Sequence, residues 1–183
     1  MMSLDTEAGP LEIAHASTAD YHAVMAILRE AADWISVRGK PPWNHWYMDA
    51  GERILRDRLT HHEVYLARRD DIAVGTVTIQ WSDAETWGER GVDGSAGYVH
   101  AIAITGSVAG MRVGERLLEW AVERIAARGR KFARLDAIAA NPVLCRYYEE
   151  RGFQPLETVT LFGGMYTARL FEKDLRRQIR VSS

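Results

Sequence analysis

Tyr98-Val99-His100-Ala101-Ile102-Ala103-Ile104 is a run of mostly apolar or aromatic residues bounded by Gly97 and Gly106, and it reads as a buried strand. Thr105-Gly106-Ser107-Val108-Ala109-Gly110-Met111-Arg112-Val113-Gly114 follows, with three glycines that permit dihedrals and close approaches a Cβ would forbid. Beyond the turn, Val113, Leu117, Leu118, Ala121 and Ile125 recur at helical spacing, Arg124 and Arg128 fall in the last turns, and Gly129 ends the pattern. A helix start leaves backbone N–H groups unpaired and carries partial positive charge, so a strand, a glycine turn and a helix in this order suit an anion such as a pyrophosphate. Neither G-x-x-x-x-G-K-[ST] nor a G-x-G-x-x-G after the strand is present, which argues against two common nucleotide loops. Spacing alone leaves anion binding and a plain tight connection both open.

Upstream, residues 64–68 and 72–81 read as two strands of a hairpin turned at Arg69-Asp70-Asp71, with Gly75 marking a bulge or a close approach. Residues 82–97 form a long connection carrying Gly88, Gly91, Gly94 and Gly97 and the acids Asp83, Glu85, Glu89 and Asp93. Nearer the start, a loose polar segment precedes an edge strand over residues 11–15. Ser17-Thr18-Ala19-Asp20 then spells a capping box for a helix with Val24, Ile27, Leu28, Ala31 and Ile35 on one face. That helix runs to about Val37, and Gly39, Pro41 and Pro42 end it. Trp43-Asn44-His45-Trp46-Tyr47 sets three aromatics in five positions, fit for a lid over a site or for a hydrophobic plug, before a weaker helical pattern through Met48, Ile54, Leu55 and Leu59. His61-His62-Glu63 does not read as a metal site, since adjacent histidines in an extended chain face opposite ways and no third ligand has a recognisable spacing. Downstream, residues 132–139 read as a strand parallel to the Tyr98 strand. A helix follows, capped by Asn141, opened by Pro142 and closed by Gly152, and residues 158–162 and 166–172 make a last hairpin at Gly163-Gly164.

Residues 99–120, with their strand, A-G-x-x-V-G turn and L-L-E-W helix, resemble the acetyl-CoA site of the GNAT superfamily of N-acetyltransferases. Asn141-Pro142-Val143-Leu144-Cys145-Arg146-Tyr147-Tyr148-Glu149-Glu150-Arg151-Gly152-Phe153 is similar to that family's N-x-x-(A/L)-x-x-x-Y-x-x-x-G-F segment. The resemblance spans about residues 11–173. It implies an α/β fold with a central mixed sheet, helices on both faces, and a splay between the Tyr98 strand and the Phe132 strand that admits the pantetheine arm. It further implies a pyrophosphate turn of Ala109, Gly110, Met111, Arg112, Val113, Gly114 and Glu115, main-chain contacts to the arm from Ile102, Ala103 and Ile104, a cofactor contact by Asn141, and Tyr148 as the proton donor. Two spellings depart from the family's Q/R-x-x-G-x-G/A: Ala109 stands at the leading Gln/Arg and Arg112 at the first glycine. Arg112 then either takes a negative φ or is strained, and its guanidinium suits a phosphate.

Acetyl transfer to an amine needs a base for an alkylammonium of pKa about 10, and a histidine of pKa about 6.5 suits that task at neutral pH. His100 is the candidate, with Tyr98 on the same strand face; a buried structural histidine, or Asp83 or Glu85 acting through water, are the alternatives. The acceptor expected is a small primary amine with an apolar or aromatic body, held by Trp43, Trp46, Tyr47 and Tyr98 and by the acids Asp83 and Glu85. A non-catalytic acyl-CoA binding or sensing module, and an acetyltransferase acting on a peptide or protein amine, stay beside it. With 183 residues the chain suits one domain. A net charge of −2 carries no basic footprint for nucleic acid, Arg176, Arg177 and Arg180 read as a solvated tail, and no run reaches the roughly 18 apolar residues of a membrane helix. Cys145 has no second cysteine to pair with and reads as packing, the first residues carry no signal sequence, and the expected location is the cytoplasm. A homodimer and a monomer are both left open.

Overall fold

The computed structural model describes residues 2–37, 48–161, 164 and 166–176; the aromatic segment with Trp43, Trp46 and Tyr47 lies outside the described residues. The fold is mixed α/β. Its elements are β1 (Met2–Thr6), β2 (Gly9–His15), α1 (Tyr21–Ser36), α2 (Asp49–His61), β3 (Glu63–Arg69), β4 (Ile72–Gln80), α3 (Ala84–Trp87), β5 (Ala96–Ile104), α4 (Val113–Ala127), β6 (Phe132–Ile138), α5 (Pro142–Glu150), β7 (Gln154–Leu161) and β8 (Tyr166–Asp174). Contacts gather in two compact units, Met1–Ile79 with Ala101–Ala121, and Gln80–His100 with Val122–Ser183.

In the first unit the strand order is β1-β2-β3-β4, antiparallel throughout. The start of the chain corrects the expectation of a loose segment. Met2 pairs with Ile13 and Thr6 with Gly9, so residues 11–15 are flanked on both sides rather than lying at an edge. Leu4 is the buried side chain of the new strand, and the turn closes because Thr6 Oγ1 donates to the Gly9 carbonyl at 2.7 Å while Gly9 takes φ +92°. At the β3–β4 hairpin, Asp70 and Asp71 both take positive φ, the signature of the tight turn whose twist matches its strands. Gly75 marks both things expected of it: the register shifts beside it, and a Cβ there would meet Leu117 Cδ1 at 2.9 Å. Val24, Ile27 and Leu28 of α1 and Leu55 and Leu59 of α2 pack with Val64 and Leu66, while Tyr65, facing the other way, meets Trp120 of α4 edge-on at 4.8 Å. Helices thus cover both faces.

In the second unit the order is β5-β6-β8-β7, with β5 and β6 parallel and the other pairs antiparallel. The parallel ladder is short. It joins Ala96, Gly97, Tyr98 and Val99 to Phe132, Ala133, Arg134 and Leu135, and both strands run on beyond it. One face carries Ile125 of α4, so close that a Cβ on Gly97 would meet its Cγ1 at 2.7 Å, and Tyr148 of α5, whose ring lies 5.8 Å from Phe171. The opposite face carries Trp87 of α3, packed with Tyr98 and Leu170.

The connection before β5 is more structured than a long loop. Asp83 caps α3 by accepting from the Thr86 N–H at 3.1 Å, and a 3-10 turn, Gly88–Gly91, brings the Gly91 carbonyl within 2.8 Å of the Asp83 N–H. Arg134 fastens this segment to the sheet. Its Nε donates to Glu172 at 2.8 Å, and its Nη1 donates to the Arg90 carbonyl at 2.7 Å and to the Tyr98 hydroxyl at 3.1 Å.

A Cβ on Gly91 would lie 2.0 Å from the Asp83 carbonyl oxygen, which is backbone and cannot swing aside. Gly91→Ala is expected to cost about 3 kcal/mol or more, and Gly75→Ala, whose neighbour is the movable end of Leu117, about 1 kcal/mol. Urea midpoints of the two variants check the order; equal midpoints would contradict the geometry.

Candidate functional site

In the second unit His100 stands one residue past the paired part of β5. Its Nε2 lies 3.1 Å from Asp83 Oδ2 and its Nδ1 3.6 Å from Asp136 Oδ1, with 10%, 6% and 13% of the three side chains exposed. The 3.1 Å approach is off the ideal hydrogen-bond line, and both of its atoms are closed to solvent. Burial alone would push the Asp83 pKa up, but the contact with His100 and the Thr86 N–H outweigh it and hold the carboxyl below its ordinary value. The next residue, Ala101, has φ +50°, a strained value for any side chain, and it breaks the simple alternation expected along the strand.

Tyr148, on α5, packs edge-on against Phe153 at 6.0 Å and Tyr147 at 5.4 Å. Burial first, then Tyr147, Asp136 and Cys145, push its phenol pKa well above the ordinary value. Asn141 caps α5 by accepting from the Leu144 N–H at 3.2 Å, and burial pushes the Cys145 thiol up, away from a reactive thiolate.

In the first unit the turn after β5 folds on itself: the N–H groups of Val108, Ala109 and Met111 donate to Thr105, Gly106 and Val108. The Gly106 N–H donates to Glu30 of α1 at 2.7 Å, and the Thr105 N–H to the Val74 carbonyl at 2.9 Å, which anchors residues 102–104 beside β4. Gly110 takes φ +78° with nothing within 4 Å of a would-be Cβ, and Gly114 has only Ile104 Cγ2, at 4.0 Å. The first N–H groups of α4, from Val113 to Glu115, have no acceptor within the helix. Arg112 takes φ +54°, the strained alternative, and its guanidinium grips Glu115 in a two-point pair at 3.0 and 2.8 Å.

The site residues expected from sequence thus separate. His100 and Asp83 come together, and Ile102, Ala103, Ile104, Ala109, Gly110, Met111, Arg112, Val113, Gly114 and Glu115 follow in chain order along one strand and turn. Glu85 is exposed to solvent on α3 and does not join Asp83. Tyr98 is corrected: it is 1% exposed, and its hydroxyl donates to the Arg90 carbonyl at 2.7 Å while accepting from Arg134, so it braces the α3 segment instead of facing an acceptor. Asp136 and Arg134 went unnoticed in the sequence, although two charges inside the otherwise apolar run of β6 were a visible signal. Among the described residues no group of three or more His, Cys, Asp and Glu is placed to hold a metal ion; Asp83 and Asp136 reach opposite nitrogens of one ring, and His61 and His62 both turn to Asp57. No described helix is long and apolar enough to cross a membrane.

Residues 24–153 match the profile of the acetyltransferase (GNAT) family. An uncharacterized N-acetyltransferase of Bacillus subtilis (strain 168), YesJ, is 24% identical over 140 residues, 74% of this chain and 77% of that protein. Among solved structures, a GNAT-family acetyltransferase from Listeria monocytogenes 4b F2365 is similar with a TM-score of 0.76 at 20% identity, over 95% of this chain and 100% of that one. The PaiA N-acetyltransferase from Thermoplasma acidophilum, solved in complex with coenzyme A, has a TM-score of 0.66 at 16% identity, over 90% of this chain and 98% of that one. At these identities the structural likeness carries the fold.

His100→Gln removes one of the two partners that hold the Asp83 carboxyl down and leaves the Thr86 N–H against the burial that raises it, so the Asp83 pKa is expected to rise. Carbon-13 carboxyl titration reads both chains. With the lowered value, Asp83 contributes stability that is present above about pH 4 and lost as the pH falls through the folded pKa, and a rise in that pKa shrinks the contribution. An Asp83 pKa that the substitution leaves in place would remove His100 as its cause.

Proposed function

The chain belongs to the acetyltransferase (GNAT) family, and from that premise we propose that residues 11–173 act as one catalytic domain moving an acetyl group from acetyl-CoA to the primary amine of a small molecule. The observation that carries this reading is His100 held just past the end of a parallel ladder, with a buried carboxylate on one nitrogen and a second carboxylate beside the other. That is how a general base is oriented.

Acetyl-CoA, when bound, supplies the activated acetyl thioester. The N–H groups of residues 110–115 and the start of α4 hold its pyrophosphate, in the open space beside Gly110 and Gly114 that side chains would fill. Main-chain groups of Ile102, Ala103 and Ile104 would hold the pantetheine arm, and an N–H there would polarise the thioester carbonyl. Asn141 would offer the arm the amide nitrogen its capping role does not use. His100 takes the proton of the acceptor's ammonium. Tyr148 would give its phenol proton to the departing sulfur; burial keeps the phenol protonated at neutral pH, and the same raised pKa makes the transfer to a thiolate, of reference pKa about 8.5, uphill unless the site lowers it during the reaction. Of the acceptor residues expected from sequence, Asp83 stands behind His100 and Glu85 is exposed on α3, while Trp43, Trp46 and Tyr47 are acceptor candidates on their composition alone.

A non-catalytic acyl-CoA binding module is the rival reading, favoured by Arg112 with its positive φ at a position the family gives to glycine. Mass-spectrometric detection of CoA release and acetylated product over a panel of small amines, peptides and protein N-termini decides. Product from small amines supports the reading, product from peptides alone moves the acceptor class, and CoA binding without product leaves the binding module.

Two variants test the named residues. Gly114→Val introduces a side chain without backbone strain and is expected to weaken CoA binding about tenfold or more in calorimetry, close to 1.4 kcal/mol; unchanged affinity would remove the turn as the pyrophosphate site. Tyr148→Phe keeps the ring packed, so the melting temperature is expected to hold while turnover falls by roughly 10²–10⁴-fold. Full turnover in that variant would make Tyr148 structural.

A further inference from the structure

We propose that Glu30 is a positioning residue for coenzyme A: from α1 it holds the first N–H of the turn after β5, and that grip keeps the turn in the shape that receives the pyrophosphate. The proposal rests on the reading of this turn as the pyrophosphate site, and it gives a role in cofactor binding to a residue of another element, 76 positions earlier in the chain.

Gly106, Ser107 and Val108 make a single 3-10 turn, and a helical turn begins with N–H groups that have no acceptor behind them. Thr105 stands at the capping position and is a residue type that caps well, but its hydroxyl pairs with the Ser107 hydroxyl at 2.8 Å and caps nothing. The cap comes from outside the turn. Glu30 Oε1 accepts from the Gly106 N–H at 2.7 Å, a short bond of the charge-assisted kind. The carboxylate sits close over the glycine, since a Cβ on Gly106 would lie 3.3 Å from the same oxygen.

The rest of the turn is built on that point. The N–H groups of Val108 and Ala109 donate back to Thr105 and Gly106 at 3.2 and 3.1 Å, and that of Met111 to Val108 at 3.3 Å, so the path into Gly110 and α4 starts from where Gly106 is fixed. Helix α1 is suited to fix it. Ile27 and Leu28 are buried in one core with Ala103 of β5, so the helix that grips the turn also backs the strand leading into it. Glu30 itself is exposed and adds nothing to that core. A carboxylate beside an anion site opposes the anion by its charge, so what Glu30 contributes to binding is geometry: a turn already in shape loses less freedom when the ligand arrives. Removing the acceptor and removing only the charge therefore act in opposite directions on cofactor affinity.

The test measures CoA binding to the full-length chain by calorimetry and, without CoA, hydrogen exchange at the Gly106 amide; melting temperatures verify that both variants are folded. Glu30→Ala removes the acceptor and is expected to weaken CoA binding about tenfold and to speed exchange at Gly106. Glu30→Gln keeps an acceptor oxygen without the charge, and is expected to exchange as slowly as the wild type at Gly106 and to bind CoA at least as tightly. A Gln variant as weak as the Ala variant, or a Gly106 amide that exchanges alike in all three chains, would overturn the proposal. With an amine found active in the panel, Glu30→Ala is expected to raise the acetyl-CoA KM about tenfold and to change the amine KM and kcat less; a rise in the amine KM alone would count against it. A wild type that binds CoA and an Ala variant that binds it equally well sink Glu30 and leave the pyrophosphate turn standing. A wild type that binds no CoA sinks the turn, and this proposal with it.

Discussion

The parallel ladder between β5 and β6 stops after four residue pairs, and the surroundings of His100 follow from that stop. A paired strand spends its N–H and C=O groups on its neighbour; one that leaves the ladder has main-chain groups to offer a ligand and side chains no longer flanked by a rung. Ala101, with φ +50°, turns the β5 backbone as it leaves, and Ile102, Ala103 and Ile104 continue beyond the turn. His100 is the residue at the departure, so it belongs to a packed strand and also to an opening. A histidine one residue earlier would be fully enclosed, as Tyr98 and Val99 are at 1% and 4% exposure.

Keeping a carboxylate against that histidine requires a rigid support, because burying Asp83 opposes its charge and an unheld loop would let it swing out to water. The support has two parts. Gly91 closes the backbone onto Asp83 so tightly that no side chain fits. Arg134 reaches through the same face to Arg90, Tyr98 and Glu172, and its guanidinium stacks 5.1 Å from the Trp87 ring. A buried arginine is a doubtful source of net stability, since its desolvation offsets much of what its contacts contribute. Its donors fixed in a plane instead give direction, joining a strand, a turn carbonyl and a phenol in one geometry.

The turn after β5 shows a different compromise. A glycine at position 112 would take φ +54° without strain, and Arg112 takes it at some cost, with a two-point pair to Glu115 as compensation. The same pair neutralises an acid in the first turn of α4, where an anion is expected to bind. Gly110 and Gly114 retain the room and the backbone freedom the turn needs, so the departure from the family's spelling falls where a side chain can point outward.

What the sequence determined by itself was local. Strand, turn and helix over residues 96–127, the capping box at Ser17, the Asn141 cap with Pro142, and the hairpin at Asp70-Asp71 are all written in the spacing of apolar residues and in residues with a restricted backbone, and each holds in the fold. The family followed from two such motifs at matching places. Tertiary structure decided what depends on register and on which side of an element faces inward. Asp83 and Glu85 are two residues apart in one acidic segment, yet the cap on α3 and the turn at Gly91 bury the first and leave the second in water. Met2 to Thr6 looked like a loose start because five residues carry too short an alternation to read, and only pairing with β2 makes them a strand. Tyr98 faces inward because Arg134 waits for its hydroxyl. Asp136 stands beside His100, 36 positions earlier, only because α4 returns the chain to β6 in one particular register, and a register between distant strands is fixed by the packing of both rather than by any residue near either.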